Sequence, residues 1–131
     1  MEKKYSSTII ANDNEGLQMI SACCAGAEVK VSDIKYLQKN KVFLLSLRRT
    51  KIEIENEGKK VNSICKFDFV DGVKSKNIKQ DDIDQKLELI TMDYLKSNYK
   101  YQINLIFTNN AYITLSTEII EVTLDDQNKI D

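Results

Sequence analysis

Two consecutive arginines, Arg48 and Arg49, are the residues of this chain best suited to recognising a negative charge. A guanidinium presents a planar fork of donors that matches a carboxylate or phosphate, whereas every other cationic side chain here is a lysine, a point charge on a flexible stem. The pair follows Val42-Phe43-Leu44-Leu45-Ser46-Leu47, a run with the composition of a central strand. Successive strand residues point to opposite faces, so one arginine emerges on the side carrying Leu44, Ile52 and Ile54. If that side is dry, its guanidinium needs a carboxylate, which Glu53, Glu118 or Glu121 can supply. Arg49 with Glu118 and Glu121 is the first candidate cluster. A structural ion pair is the plainer reading of it, and a site for a small anionic ligand, with Arg48 and Glu53 included, is the sharper one.

The remaining chemistry is sparse. The chain has no histidine, which removes Ser-His-Asp and Cys-His catalysis and imidazole metal ligation. Cys23, Cys24 and Cys65 are an odd set without zinc spacing, and adjacent cysteines are poorly placed for an ordinary disulfide. They read as reduced thiols packed as small hydrophobes, with Cys23 and Cys24 near a helix C-terminus that disfavours thiolate. Asp81, Asp82 and Asp84 lack the glycine and distal glutamate of a calcium loop, so a solvated acidic loop is expected. No glycine-rich phosphate loop occurs. Neither a metal nor a cofactor is expected. Lys66, Lys74, Lys76 and Lys79 form a candidate basic patch, without the interleaved aromatics that stack on bases.

Composition sets the frame for these residues. The 131 residues are 42% hydrophobic and 30% charged, with a net charge of −1, which fits one globular domain spanning 1–131 and disfavours a dedicated nucleic-acid binder. No stretch approaches the roughly 20 apolar residues that cross a bilayer as a helix. Reduced thiols and the lack of a signal-peptide core point to the cytoplasm.

The elements that must position the candidates are mostly strands. Tyr5 to Ala11 reads as a first strand, and Asp13 to Ala25 as a helix capped by Asn12, Asp13 or Asn14 and ended by Gly26. Glu28–Ser32 and Ile34–Gln38 are short extended pieces. Asn62 to Val70 alternates, with Asp71-Gly72 as a tight turn into Val73–Lys79, which is either its partner strand or an exposed edge. Lys86 to Leu95 fits a helix or a strand and is assigned as strand. Tyr99, Tyr101, Ile103, Leu105 and Phe107, then Ile113 and Leu115, alternate with polar residues as a half-buried hairpin. Only an odd-length loop sets apolar row against apolar row, so a three-residue loop Asn109–Ala111 is expected, with Phe107 opposite Ile113. A bulge near Glu118 then shifts the parity for Ile120, Val122 and Leu124, or a last helix begins at Ser116 or Thr117; the bulge is preferred. From Asp125 a polar, frayed tail is expected. The sum is an α+β fold: one N-terminal helix against a bent antiparallel sheet or partial barrel of about seven strands, for which a pleckstrin-homology-like barrel is an analogy.

The order of segments resembles a bacterial family described as domain of unknown function 2948. The resemblance rests on Leu17-Gln18-Met19-Ile20-Ser21-Ala22, Val31-Ser32-Asp33-Ile34, Phe67-Asp68-Phe69-Val70 with Val73-Lys74-Ser75-Lys76-Asn77-Ile78, and Glu118-Ile119-Ile120-Glu121. Where family members carry Asn-Arg-Phe and a Trp after the central strand, this chain has Arg48-Arg49-Thr50 and Ile52, keeping Arg49 and Glu53. The resemblance implies a small cytosolic protein and no catalytic residue. Taken together, the residues favour a non-catalytic binding module for a protein partner or small anionic ligand, with homo-oligomerisation through strand edges as one mode. The alternatives are a histidine-free enzyme using carboxylates or a desolvated lysine, and an RNA-associated factor. No membrane association is expected.

Overall fold

Antiparallel pairing organises this chain from Thr8 to Gln127. The computed structural model describes residues 8–50, 60–79, 81–82 and 84–127. Among the described residues there are ten strands: β1 (Thr8–Ala11), β2 (Glu28–Lys30), β3 (Ile34–Leu37), β4 (Val42–Thr50), β5 (Lys60–Phe67), β6 (Val70–Lys76), β7 (Lys86–Ser97), β8 (Lys100–Phe107), β9 (Tyr112–Thr117) and β10 (Val122–Asp126). The same residues hold one α-helix, α1 (Asn14–Cys24), after β1. The architecture is α+β with an unclosed sheet in the order β1-β10-β5-β4-β2-β7-β8-β9-β6, and β3 pairs β4 beside this path. The count exceeds the expected seven: the short pieces Glu28–Lys30 and Ile34–Leu37 both pair as strands, and Val122–Asp126 is a strand separate from β9.

Two limbs share one core. β4 sends Phe43, Leu45 and Leu47 inward; β5 adds Cys65 and Phe67, and β10 adds Val122 and Leu124. The second limb faces them with Leu87, Leu89 and Met92 of β7, Ile103, Leu105 and Phe107 of β8, and Ile113 and Leu115 of β9. Each fully buried Leu, Ile or Phe contributes roughly 1.5–3 kcal/mol of transfer free energy. Phe43 and Phe67 also meet edge to face, with centroids 5.9 Å apart. Short β2 joins the limbs, pairing β4 through Glu28 and Arg48, and β7 through Glu28, Val29 and Lys30.

Helix α1 covers one end of the core. Asp13 caps it, its carboxylate accepting the Gly16 N–H at 2.8 Å, and Leu17, Ile20 and Cys24 point inward. Gly26 then takes φ +84°, a left-handed turn that glycine adopts without a Cβ penalty. Ser21 ties the helix to the sheet by accepting the Met92 N–H at 2.9 Å.

Four local expectations need correction. The β8–β9 hairpin does have a three-residue loop, but it is Thr108–Asn110, with Leu105 opposite Ile113 and the Phe107 N–H bonded to Ala111 O. Asn109 and Asn110 both adopt positive φ, so the turn forms one residue earlier while the buried faces stay as expected. Asp71-Gly72 is a bulge within β6 rather than a turn; the chain reverses at Asp68-Phe69, and β6 pairs β9 rather than β5. Glu118–Glu121 is neither a bulge in a continuing strand nor a helix: it crosses from β9 to β10, which pairs β5 and β1. The polar tail does not begin at Asp125, because β10 continues through Asp126. Lys86–Ser97 is strand, as assigned.

Candidate functional site

β4 resolves the two arginines in the way alternation requires. Its inner row is Phe43, Leu45, Leu47 and Arg49, so the dry side is opposite to the one carrying Leu44, and Arg49 is the inward residue. Arg49 is 0% exposed. β5 and β10 bring its partners: Ser63 lies opposite Leu47 on one side and opposite Asp126 on the other. Arg49 Nε donates to Ser63 Oγ at 3.0 Å, Ser63 Oγ donates to Asp126 Oδ1 at 2.8 Å, and Arg49 Nη2 donates to the same oxygen at 3.0 Å. The hydroxyl both accepts and donates, so the guanidinium and carboxylate are bridged as well as paired. Enclosed in this way, Arg49 has the geometry of a structural ion pair and offers no fork to an incoming ligand.

The carboxylate is not one of those singled out in the sequence. Glu118 is exposed and contributes to the field at Lys100. Glu121 is half-buried at the far end of β10, its carbonyl accepting the Asp68 N–H. Val122, the next residue, is four positions or about 13 Å from Asp126 along the strand. Glu53 lies outside the described residues. The signal for Asp126 was present: Val122, Leu124 and Asp126 share one strand parity, so a carboxylate there must face the core.

The thiols sit beside this cluster. All three cysteines are reduced and buried. Burial pushes the Cys65 thiol well above its ordinary range, reinforced by a hydrogen bond with Cys24 and opposed by Arg49. Such a thiol is a poor nucleophile.

Arg48 points the other way, into a concavity of about 570 Å³ on the outer face of the sheet. Glu28, Lys30, Asp33, Asn62 and Lys86 line it together with Arg48. Strand register sets them side by side, with Arg48 opposite both Glu28 and Asn62, and Lys30 opposite Lys86. Arg48 Nη1 donates to Asn62 Oδ1 at 3.3 Å. Glu28 is engaged by Lys86 at 3.7 Å, and among the described residues no carboxylate lies within ion-pair distance of Arg48. An exposed guanidinium, steadied on one side and flanked by two lysines, suits a carboxylate or phosphate oxygen.

The four patch lysines do not share one surface. Lys66 projects from β5 between β4 and β10 and pairs with Asp68 at 3.8 Å. Lys74 and Lys76 project from β6, opposite Thr114 and Tyr112, and Lys79 follows them. β4 and β3 stand between Lys66 and this group. Asp81, Asp82 and Asp84 are exposed beyond Lys79. Among the described residues no three His, Cys, Asp or Glu side chains converge as metal ligands, no lysine is buried, and no helix is long and apolar enough to cross a membrane. Elsewhere, Lys100 Nζ donates to Asp71 Oδ2 at 2.7 Å, which holds the Asp71 carboxyl below its usual range and the Lys100 ammonium above its own.

Comparison with known proteins adds one finding. The family described as "Protein of unknown function (DUF2948)" matches residues 8–130, nearly all of the chain. No curated protein and no solved structure matches significantly. The chain belongs to that family.

Proposed function

We propose that this family member is a non-catalytic cytoplasmic binding module that takes an anionic group of its partner at Arg48. The observation that carries this reading is the pairing pattern of the two arginines. Arg49 is committed to Ser63 and Asp126, whereas Arg48 sits exposed in a concavity of about 570 Å³ with Asn62 accepting its hydrogen bond. Lys30 and Lys86 raise the local positive potential and so favour the approach of an anion. Glu28 and Asp33 in the same lining give the surface a mixed charge. The three reduced thiols suit a reducing compartment. Against the enzyme alternative, no described lysine is desolvated and the two acids that line the Arg48 concavity, Glu28 and Asp33, are exposed; the RNA alternative loses its basis with Lys66 on a separate face.

The test is a titration of isotopically labelled protein with inorganic phosphate and with citrate, followed by amide chemical shifts. Perturbation centred on Glu28, Arg48 and Asn62, abolished in Arg48→Ala, is the expected result. Arg48→Ala should leave stability within about 0.5 kcal/mol, as exposed substitutions do. Shifts that are absent, or unchanged by Arg48→Ala, would refute the assignment.

A further inference from the structure

The unclosed sheet has a gap whose geometry is specific. β3 pairs only with β4, and β6 pairs only with β9, so the outer edge of neither is paired to a described strand. A slot of about 350 Å³ separates them, lined by Val31, Ile34, Tyr36, Val73, Ile78 and Ile113 together with the hydroxyl-bearing Ser32 and Ser75. Ile34, Tyr36, Val73 and Ile78 are only partly buried and pack against the main core. At one end the slot is closed by the Tyr36 hydroxyl, which donates to Val70 O at 2.9 Å, and by the Val70 N–H, which donates to Lys41 O at 2.8 Å.

Val70 at the start of β6 meets Tyr36 and Lys41 at the C-terminal end of β3, and Val73 and Ile78 lead back towards Ile34 and Val31, so the two edges run in opposite directions across the slot. An extended segment laid in the slot can pair with an edge through its backbone, and its alternate side chains enter the slot.

Charge defines the occupant. Residues that alternate with the slot-lining ones point outward: Lys35 and the exposed Leu37 on β3, and Lys74 and Lys76 on β6. The one acidic residue on either strand, Asp71, is engaged by Lys100. We infer that the slot between β3 and β6 binds an extended acidic peptide from a partner protein. Its apolar residues pack on Ile34, Tyr36, Val73 and Ile113, and its alternating carboxylates face Lys35, Lys74 and Lys76. β3 is four residues long, so the paired segment spans about 13 Å. A second copy of this chain is disfavoured at β6, because antiparallel pairing of two β6 edges brings lysines against lysines. This site is separate from the Arg48 concavity and does not depend on it.

The test uses a capped peptide alternating Glu and Val, its Lys-Val counterpart, and a Glu-Val peptide carrying a central proline. Amide shifts and hydrogen exchange are followed in the whole chain. The Glu-Val peptide should perturb and protect Ile34–Leu37 and Val73–Lys76, with affinity falling as salt rises. Lys74→Glu/Lys76→Glu should weaken binding roughly tenfold or more, and the proline peptide, lacking a ladder donor, should bind worse. Equal binding of the Lys-Val peptide, undiminished binding to the double variant, or shifts confined to Glu28, Arg48 and Asn62 would overturn the inference. So would the same amides responding to protein concentration alone, which would make a second copy the occupant, or to decanoate in place of the peptide, which would make the slot an acyl site. Because Arg48→Ala leaves the slot intact, peptide binding by that variant separates failure at one site from failure at the other.

Discussion

Asp126→Ala tests whether the Arg49 cluster is structural. Removing one member of a buried ion pair leaves the other charge uncompensated, which costs about 3–5 kcal/mol. Here Asp126 Oδ1 accepts from both Arg49 Nη2 and Ser63 Oγ, so the substitution removes two charge-assisted bonds at a site where Arg49 is 0% exposed. Against a total stability of about 5–15 kcal/mol, this is a large fraction. With a urea m-value of about 2 kcal/mol/M, the unfolding midpoint should fall by about 2 M. Arg49→Met/Asp126→Leu supplies the control, since apolar residues of similar volume remove both charges together and should recover much of the loss. Equilibrium urea denaturation followed by far-UV circular dichroism reads all of these variants. An unchanged midpoint in Asp126→Ala, or a double variant no better than the single, would refute the view that this pair is held in a sealed, low-dielectric site.

Four further outcomes follow from local geometry. Gly16→Ala should lower the unfolding midpoint, although alanine favours helices by about 1 kcal/mol, because the added Cβ would lie 2.8 Å from Ala11 Cβ; a raised midpoint would contradict this. Phe69 holds φ 61° while 41% exposed, so Phe69→Asn should stabilise by about 1 kcal/mol in the same assay by easing a left-handed conformation. The three buried thiols should resist a disulfide exchange reagent in the folded protein and react only through the urea transition, read as thiolate released against denaturant. Lys100→Met should raise the Asp71 carboxyl towards the ordinary range in an NMR titration. Because the folded Asp71 value is lowered, its contribution to stability exists above the unfolded value and is lost as pH falls through the folded one; for Lys100, raised when folded, it exists below the unfolded value and is lost as pH rises through the folded one.

Legibility in the sequence tracked how local each determinant is. Asp13 to Gly26 could be read as a helix because cap, apolar spacing and stop signal all lie within one segment. Alternation in Tyr101–Leu115 set the buried faces, since face assignment depends only on parity, and parity survived a loop placed one residue away from the expected position. What failed was partner choice. Asp71-Gly72 has turn chemistry but serves as a bulge, because β6 is drawn to β9 by the Val73–Leu115 and Ser75–Ile113 pairs far along the chain. The arginine site was half legible: alternation required one inward and one outward guanidinium, but the hydrophobic positions around Leu44, Ile52 and Ile54 suggested the wrong dry side. Asp126 was passed over because its polar neighbours resemble a tail, and its role depends on a strand contributed some sixty residues earlier, β5. The β3–β6 slot is a property of sheet topology and has no local signature.

The β1–β10 pair has a consequence in time. The Thr8 hydroxyl meets Asp125 across 117 positions of sequence. At roughly 5–20 residues per second of synthesis, β1 must remain without its strand neighbour for about 6–23 s after it is made. Throughout that interval Ile9 and Ala11 lie beside a helix that can form within microseconds but has no completed sheet to settle on. Assembly on the ribosome is therefore governed by the arrival of the final strand, and any agent that shields a nascent apolar edge would act on this chain at β1.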